Sequence, residues 1–393
     1  MSNNPDSNGI PTKTVAILGG GLAGLSAALR LLALGHDVTL VEKRPFLGGR
    51  AFSFWDIEED VEIDNGQHIF LGCCTYYINY LKEIGALPNT YQQNGLHTEI
   101  YLDGKRGDLY STRILRSLHL LPSLLTYPLI GFKDKLLVIY ALLRVKFTDR
   151  SRHSSVLENE SGYDWLKRHH QTDRSISNLW NLVVLPTLND DVRNVSANMM
   201  LMVFQESLLK GPIEASIGVS RVGLTTLNGD PANRLIENRG GSLIMERSVR
   251  AIHVEGDQIG CIELSDGGII RKDAYISAIP FKMLLDILPN ELSSSQFFAS
   301  AGLLRTAPIV GIHIWYDSPI MDQNFVALLD SPIQWVFNKS LIQGAGTDEG
   351  QYICISISGA WQYIDKPKQE LKEIFLQEMA KQFPKAQCAK VRK

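Results

Sequence analysis

Thr14-Val-Ala-Ile-Leu18 is a short run rich in β-branched residues, and Gly19-Gly-Gly-Leu-Ala-Gly24 follows it without a break. Leu25, Ala28, Leu29 and Leu32 then recur at helical spacing. Gly35 supplies a left-handed stop, and Asp37-Val-Thr-Leu-Val41 reads as a second strand ending on Glu42. Strand, glycine turn, helix, strand and terminal carboxylate together specify a βαβ unit that binds a dinucleotide. Gly19 makes the tight turn, Gly21 lets a pyrophosphate approach the backbone, and Gly24 lets the helix pack closely on the strand. The free N–H groups of the helix start, at Leu22 and Ala23, face the phosphates. Glu42 is placed to accept both ribose hydroxyls while its charge repels the extra phosphate of NADP, so the unit favours FAD or NAD.

A length of 393 residues allows two to three domains or one large doubly wound domain with insertions. With 45% hydrophobic and 21% charged residues the chain has ample material for a core, and disorder is excluded as its main state. A formal net charge of −3 provides no global positive field, so no nucleic acid partner is expected. Cys73, Cys74, Cys261, Cys354 and Cys388 lack metal or redox-loop spacing and are expected to be buried, reduced thiols. Met1 to Lys13 is polar without a secretory pattern, which leads to an expectation of cytoplasmic residence. Pro122 and Pro128 interrupt the most apolar stretch, Leu118 to Phe132, and Arg113, Arg116, Lys133 and Lys135 flank it. A transmembrane helix is not expected there. No repeat, nucleophile elbow, Walker loop or zinc spacing occurs, so hydrolase, NTPase and metalloenzyme readings have no basis and no metal is expected.

After Glu42 come Lys43-Arg-Pro-Phe-Leu-Gly48-Gly49-Arg50, a glycine doublet that can hug a ligand followed by a cation. The segment resembles the second part of the FAD fingerprint in the flavin amine oxidase and phytoene desaturase superfamily. That resemblance implies FAD as cofactor, adds Lys43 and Gly49 to the cofactor-binding set, and gives Arg50 the task of neutralising the pyrophosphate. Further on, Asp64-Asn-Gly66-Gln67-His68 reads as a loop entering a strand. With Gly48-Gly-Arg-Ala-Phe-Ser-Phe before it, this block resembles the bacterial squalene-associated FAD-dependent desaturases, or hydroxysqualene dehydroxylases. Related carotene desaturases carry similar but less matching blocks. The resemblance implies that Gly66, Gln67 and His68 lie near the isoalloxazine ring, with His68 a candidate for catalysis. Taken alone, a histidine there reads as a hydrogen-bonded structural residue.

Arg113 to Phe147 is leucine-rich and basic. It has the composition of amphipathic helices that either pack in a substrate domain or lie on a membrane surface. Tyr163 to Leu209 has helical periodicity, and the cluster Met199, Met200 and Met202 suits either adaptable core or a pocket for flexible hydrocarbon. Leu182 to Asn189, and Arg221 to Gly241, resemble the dehydroxylases in order and content. Ser248 to Pro280 reads as a β-meander returning to the nucleotide domain. In flavoproteins of the superfamily a strand starting like Val249 passes the adenine, which implies cofactor binding by Val249; a plain core valine is the alternative. Pro308 to Tyr316 and Gln334 to Asn338 read as strands of the substrate domain, with Trp315 and Trp335 lining its pocket.

The expected fold is therefore α/β, a Rossmann-like FAD-binding domain with an inserted α+β substrate domain. Its parts are 13–75 and 236–285 for the FAD domain, 76–235 for helical substrate elements, and 286–393 for the substrate sheet and final helix. The Gly-Asp element and closing helix of the superfamily are not found after Pro384, so the chain is expected to lack the C-terminal FAD segment. The resemblance implies reductive dehydroxylation of hydroxysqualene to squalene. The alternatives are a carotene or phytoene-type desaturase and a flavin-binding remnant without turnover. Expected partners are an apolar isoprenoid and a membrane surface, with an electron donor that the sequence does not name.

Overall fold

β1 (Thr14–Leu18) pairs in parallel with β2 (Asp37–Val41), and α1 (Leu22–Ala33) connects them. β1 from Val15 onward is apolar on both faces, and β2 is so apart from Thr39 and its exposed first residue, as a parallel sheet covered on each side requires. The structure, a computed structural model, describes residues 11–112, 116–344 and 350–393. Arg113 lies outside the described residues, as do the first ten positions.

The chain divides into two compact units. The first comprises Met1–Asn65, Tyr76–Asn89 and Val222–Thr306. Its parallel sheet has the order Ser242–Ile244, β2, β1, Ala274–Ser277. One face, with Val15, Ile17, Val38 and Leu40, packs on Leu25 and Leu29 of α1, on Tyr80 and Leu81, and on Leu227 and Ile236. The opposite face, with Ala16, Leu18 and Val41, meets Ile252, Ile262 and Leu264 of the antiparallel strands Val249–Glu255 and Gln258–Leu264.

The second unit comprises Gly66–Thr75, Thr90–Arg221 and Ala307–Lys393. Its six-stranded sheet runs Ile309–Tyr316, Gln351–Ser358, Trp335–Asn338, Phe325–Leu328, His97–Leu102, Lys105–Tyr110. Alternation along the strands creates two cores. Ile100, Phe325, Trp335 and Phe337 face the helical elements between Leu121 and Leu188, whereas Tyr101, Val326 and Val336 face Phe375 and Met379 of the helix Lys368–Gln382.

The unit boundaries differ from those expected. Tyr76–Asn89 and residues 222–235 belong to the first unit, because Tyr80, Leu81, Leu227 and Ala232 complete the core over β1 and β2, whereas Gly66–Thr75 belongs to the second. The helical turns between Phe281 and Leu303 stay in the first unit too. The cysteines also depart from expectation: only Cys261 and Cys354 are buried, Cys73 is half-buried, and Cys74 and Cys388 are exposed.

Candidate functional site

In the first unit the two glycine segments meet backbone to backbone. Gly48 N–H donates to Gly20 O at 2.8 Å, and Gly21 and Gly48 form an isolated parallel bridge. A Cβ on Gly24 would stand 1.9 Å from Gly19 O, so only glycine lets α1 start this close to the end of β1. Gly21 caps α1 in extended conformation without any side-chain cap, and no acidic side chain stands in the first turn. The N–H groups of Leu22, Ala23 and Gly24 therefore begin the helix without a side-chain acceptor, at the positive end of its dipole.

Glu42 is almost fully buried, and its carboxylate is a clamp before it is a ligand contact. Oε2 accepts from Gly20 N–H at 2.7 Å and Oε1 from Arg44 N–H at 3.0 Å. An ionised carboxylate has about four acceptor positions, so capacity for ribose hydroxyls remains. Glu42 also fixes the returning chain, since its N–H donates to Ile244 O and its carbonyl accepts from Arg247 N–H. Val249 lies two residues beyond that contact, half-buried against the second face of the sheet, so its strand passes the nucleotide end of β2.

Arg50 is exposed, and its carbonyl accepts from Asn65 Nδ2 at 2.7 Å. Lys43 is exposed beside Met283. The residue that sequence reading missed is Arg44. Its Nη1 donates to Gly49 O at 3.0 Å, and its guanidinium lies 4.9 Å from the ring centre of Phe52 and 5.5 Å from that of Phe46. Those two rings stack at 4.9 Å, which gives the glycine doublet a rigid support. Two aromatic residues within eight positions of an arginine were the available signal.

Asp64 is buried and accepts from Leu224 N–H at 2.8 Å, so it joins segments far apart in sequence. Ser53 and Thr225 exchange hydrogen bonds of 2.9 Å, and Glu62 accepts from Ser53 Oγ and from Thr226 Oγ1. The turn at Asp64 is thus a structural joint of the first unit. Gly66, Gln67 and His68 follow in the second unit, where Gln67 Nε2 donates to His68 O at 2.9 Å and the His68 side chain is exposed.

The second unit contains an apolar cavity of about 100 Å³. Leucines dominate its wall, among them Leu109, Leu124, Leu142 and Leu179, together with Ile139, Trp180 and Phe204; Ser117 and Lys146 are the polar members. Trp315 and Trp335, expected to line it, do not. Trp315 stacks on Tyr352 at 4.3 Å, and Trp335 is buried in the core of the sheet. The methionines are absent from the wall as well: Met200 is buried in the helical core, and Met199 is exposed.

The model of the flavin containing amine oxidoreductase family matches residues 22–392. Among curated proteins, the zeta-carotene desaturase of Arabidopsis thaliana is 28% identical over 341 residues, which cover 81% of this chain and 60% of that protein. The 15-cis-phytoene desaturase of Capsicum annuum is 25% identical, over 99% of this chain and 70% of its own length. The chain thus spans less than two thirds of the Arabidopsis relative. Among solved structures, an oxidoreductase from Methanosarcina mazei superposes with a TM-score of 0.72 at 18% identity, over 94% of this chain and 85% of that one. A putrescine oxidase gives 0.70 at 16%, over 96% and 83%. These likenesses establish a Rossmann-type α/β fold. The uncapped helix start, the open face of Gly21 and the spare acceptor capacity of Glu42 fit a dinucleotide diphosphate and ribose, and the flavin-containing family makes that dinucleotide FAD. The chain belongs to the flavin containing amine oxidoreductase family.

Proposed function

We propose that the chain carries an FAD-dependent oxidoreductase acting on a long apolar isoprenoid, in the manner of the carotenoid desaturases among its relatives. The observation that carries this reading is the cavity, whose wall is almost wholly apolar, suited to one segment of a hydrocarbon chain and with almost no polar group to recognise a charged or hydroxylated molecule. FAD, when bound, supplies hydride chemistry. The residues proposed to hold it are Gly19, Gly21, Leu22, Ala23, Gly24, Glu42, Lys43, Gly49, Arg50 and Val249. The part of the protein is to hold diphosphate and ribose, to keep the apolar substrate in place, and to exclude water.

The sequence block Asp64–His68 leads to hydroxysqualene dehydroxylation, whereas the relatives favour desaturation. Incubation with phytoene, ζ-carotene and hydroxysqualene, followed by chromatography of the extract, separates the two. New conjugated double bonds support desaturation. Squalene from hydroxysqualene supports the second reading, and no conversion of any of the three overturns both.

We also propose reversible docking on an anionic bilayer. No helix among the described residues is long and apolar enough to cross a membrane. The helix Phe132–Phe147 nevertheless exposes Phe132, Leu136, Tyr140, Leu143 and Phe147, a stripe at helical spacing, and carries Lys133, Lys135, Arg144 and Lys146. Leu143 and Lys146 also line the cavity, so the stripe and the cavity are continuous.

A further inference from the structure

The cavity of the second unit has a mouth and a floor. Leu118, Leu143 and Lys146 on its wall are exposed, whereas Leu124, Trp180 and Phe204 on the same wall are buried, so the space runs inward from the surface and ends on two aromatic rings. The centres of those rings stand 4.8 Å apart, with their planes at 56°.

Trp180 is held through both its backbone and its side chain. Ile176–Trp180 forms one wide turn in which Asn181 N–H donates to Ile176 O, a rare geometry that recurs at functional sites. Two buried hydrogen bonds pin that turn: Tyr127 Oη donates to Asn178 O at 3.0 Å, and Asn178 Nδ2 donates to Leu129 O at 3.0 Å. The indole Nε1–H donates to Gln171 Oε1 at 2.9 Å, and Gln171 Nε2 donates in turn to Leu137 O at 2.8 Å and to His169 O at 3.1 Å. Gln171 is buried and is not part of the cavity wall, so the only polar atom of the indole is engaged elsewhere and the ring offers the cavity carbon alone. Swinging the ring aside for a larger guest would leave its N–H unpaired in the interior, which is costly. The floor is therefore rigid.

We propose that Trp180, backed by Phe204, is the specificity-determining stop of this cavity: it admits one open-chain isoprene unit, the end of a longer hydrocarbon, and turns away a cyclised end. The proposal rests on the isoprenoid reading above and adds which part of the chain enters and what limits it. The cavity measures about 100 Å³. An apolar cavity of about 150 Å³ takes a benzene molecule, so the smaller space has room for one isoprene unit whose chain leaves through the mouth, and none for a substituted ring. Leu118 and Leu143 then cover the chain where it emerges.

The test uses the full chain with FAD added and two volatile hydrocarbons, 2-methyl-2-butene for the open end and limonene for the cyclised one. Saturable binding is read as loss from the headspace by gas chromatography. Wild type is expected to hold 2-methyl-2-butene at least about tenfold more tightly than limonene, the lower end of what a hydrophobic pocket achieves by size. Trp180→Leu and Phe204→Leu each deepen the floor and are expected to shrink that ratio several-fold. Trp335→Leu, which removes a buried tryptophan outside the cavity, is expected to keep the wild-type ratio. Circular dichroism checks folding, and either floor variant suffices if the other does not fold. Limonene held as tightly as 2-methyl-2-butene by wild type overturns the proposal, as does saturable binding of neither hydrocarbon. A ratio left unchanged by the floor variants, or shifted equally by Trp335→Leu, overturns it too. The readout needs no turnover: a shifted ratio without conversion of any isoprenoid keeps the stop and removes the reaction, whereas conversion with an unchanged ratio removes the stop alone.

Discussion

A Cβ placed on Gly49 would stand 2.8 Å from the α-carbon of Gly21, whereas a Cβ placed on Gly21 would clear Gly49 at 3.7 Å. The two glycines face each other, but they are required for different reasons. Gly49 also has a φ of +62°, which an L side chain rarely adopts. Gly49→Ala is therefore expected to push the second glycine segment off the first and to lower stability. Gly21 has ordinary extended backbone, so Gly21→Ala is expected to fold normally and to lose FAD affinity, because its methyl group occupies the path of the diphosphate. Thermal unfolding read beside flavin titration separates the effects. Equal loss of stability in both variants would contradict this division of roles.

Arg44 and Arg50 offer a second such contrast. Arg44→Ala removes a hydrogen bond to Gly49 O and two ring contacts, and is expected to cost about 1–3 kcal/mol of stability. Arg50→Ala removes an exposed side chain and is expected to leave stability unchanged, while FAD binding weakens by roughly 1.5–3 kcal/mol, the range of a hydrogen bond to a charged group. Denaturant unfolding and flavin titration on both variants provide the check.

The contrast between these arginines shows where sequence reading stops. The bounds of β1, α1 and β2 were legible because local signals agree: β-branched runs, a glycine turn, helical spacing and a left-handed stop. The task of Arg44 was hidden, because it depends on which way the chain turns after Gly49 to bring Phe52 beneath the guanidinium. Asp64 carried a family signature, yet its bond to Leu224 spans 160 positions and has no local trace. The cavity was missed for a different reason. Tryptophans and methionines stand out in a sequence as pocket candidates, whereas leucines that line a space look the same as leucines that fill a core.

Two buried imidazoles make the second unit sensitive to acid. His119 is fully buried; its Nε2–H donates to Leu208 O at 2.8 Å and its Nδ1 accepts from Ser111 Oγ at 3.0 Å. His169 donates through Nδ1 to Trp165 O at 2.8 Å and stacks on the Trp165 ring at 3.9 Å. Burial holds both below the usual histidine value, and the charges of Arg168 and Arg144 also lower His169. In the unfolded chain both titrate near about 6.5, so below that pH the unfolded state binds more protons and the fold loses stability. Their contribution is complete above about 6.5 and falls by at most roughly 1.4 kcal/mol per pH unit for each imidazole as pH drops through the folded values. Unfolding midpoints measured from pH 8 to 5 should be flat at first and then decline. His119→Gln should shallow that decline, and an identical slope would remove His119 from the account.

The proposed docking on a bilayer rests on the helix Phe132–Phe147. A long isoprenoid partitions almost entirely into lipid, and an apolar stripe that dips into the interface places Leu143 and Lys146, both part of the cavity wall, at the lipid boundary. Phe132 and Phe147, 73% and 77% exposed at opposite ends of the helix, are the residues whose burial in lipid is expected to stabilise the proposed docking most. Lys133, Lys135, Arg144 and Lys146 are expected to add about 1 kcal/mol each on anionic membranes. Sedimentation with vesicles of increasing phosphatidylserine content is expected to show rising binding that weakens with salt. Phe132→Ser with Phe147→Ser should weaken binding at every lipid composition. Lys133→Glu with Lys135→Glu should abolish the dependence on anionic lipid while leaving the fold intact. If wild type and both double variants sediment equally, the stripe is a surface without a lipid partner.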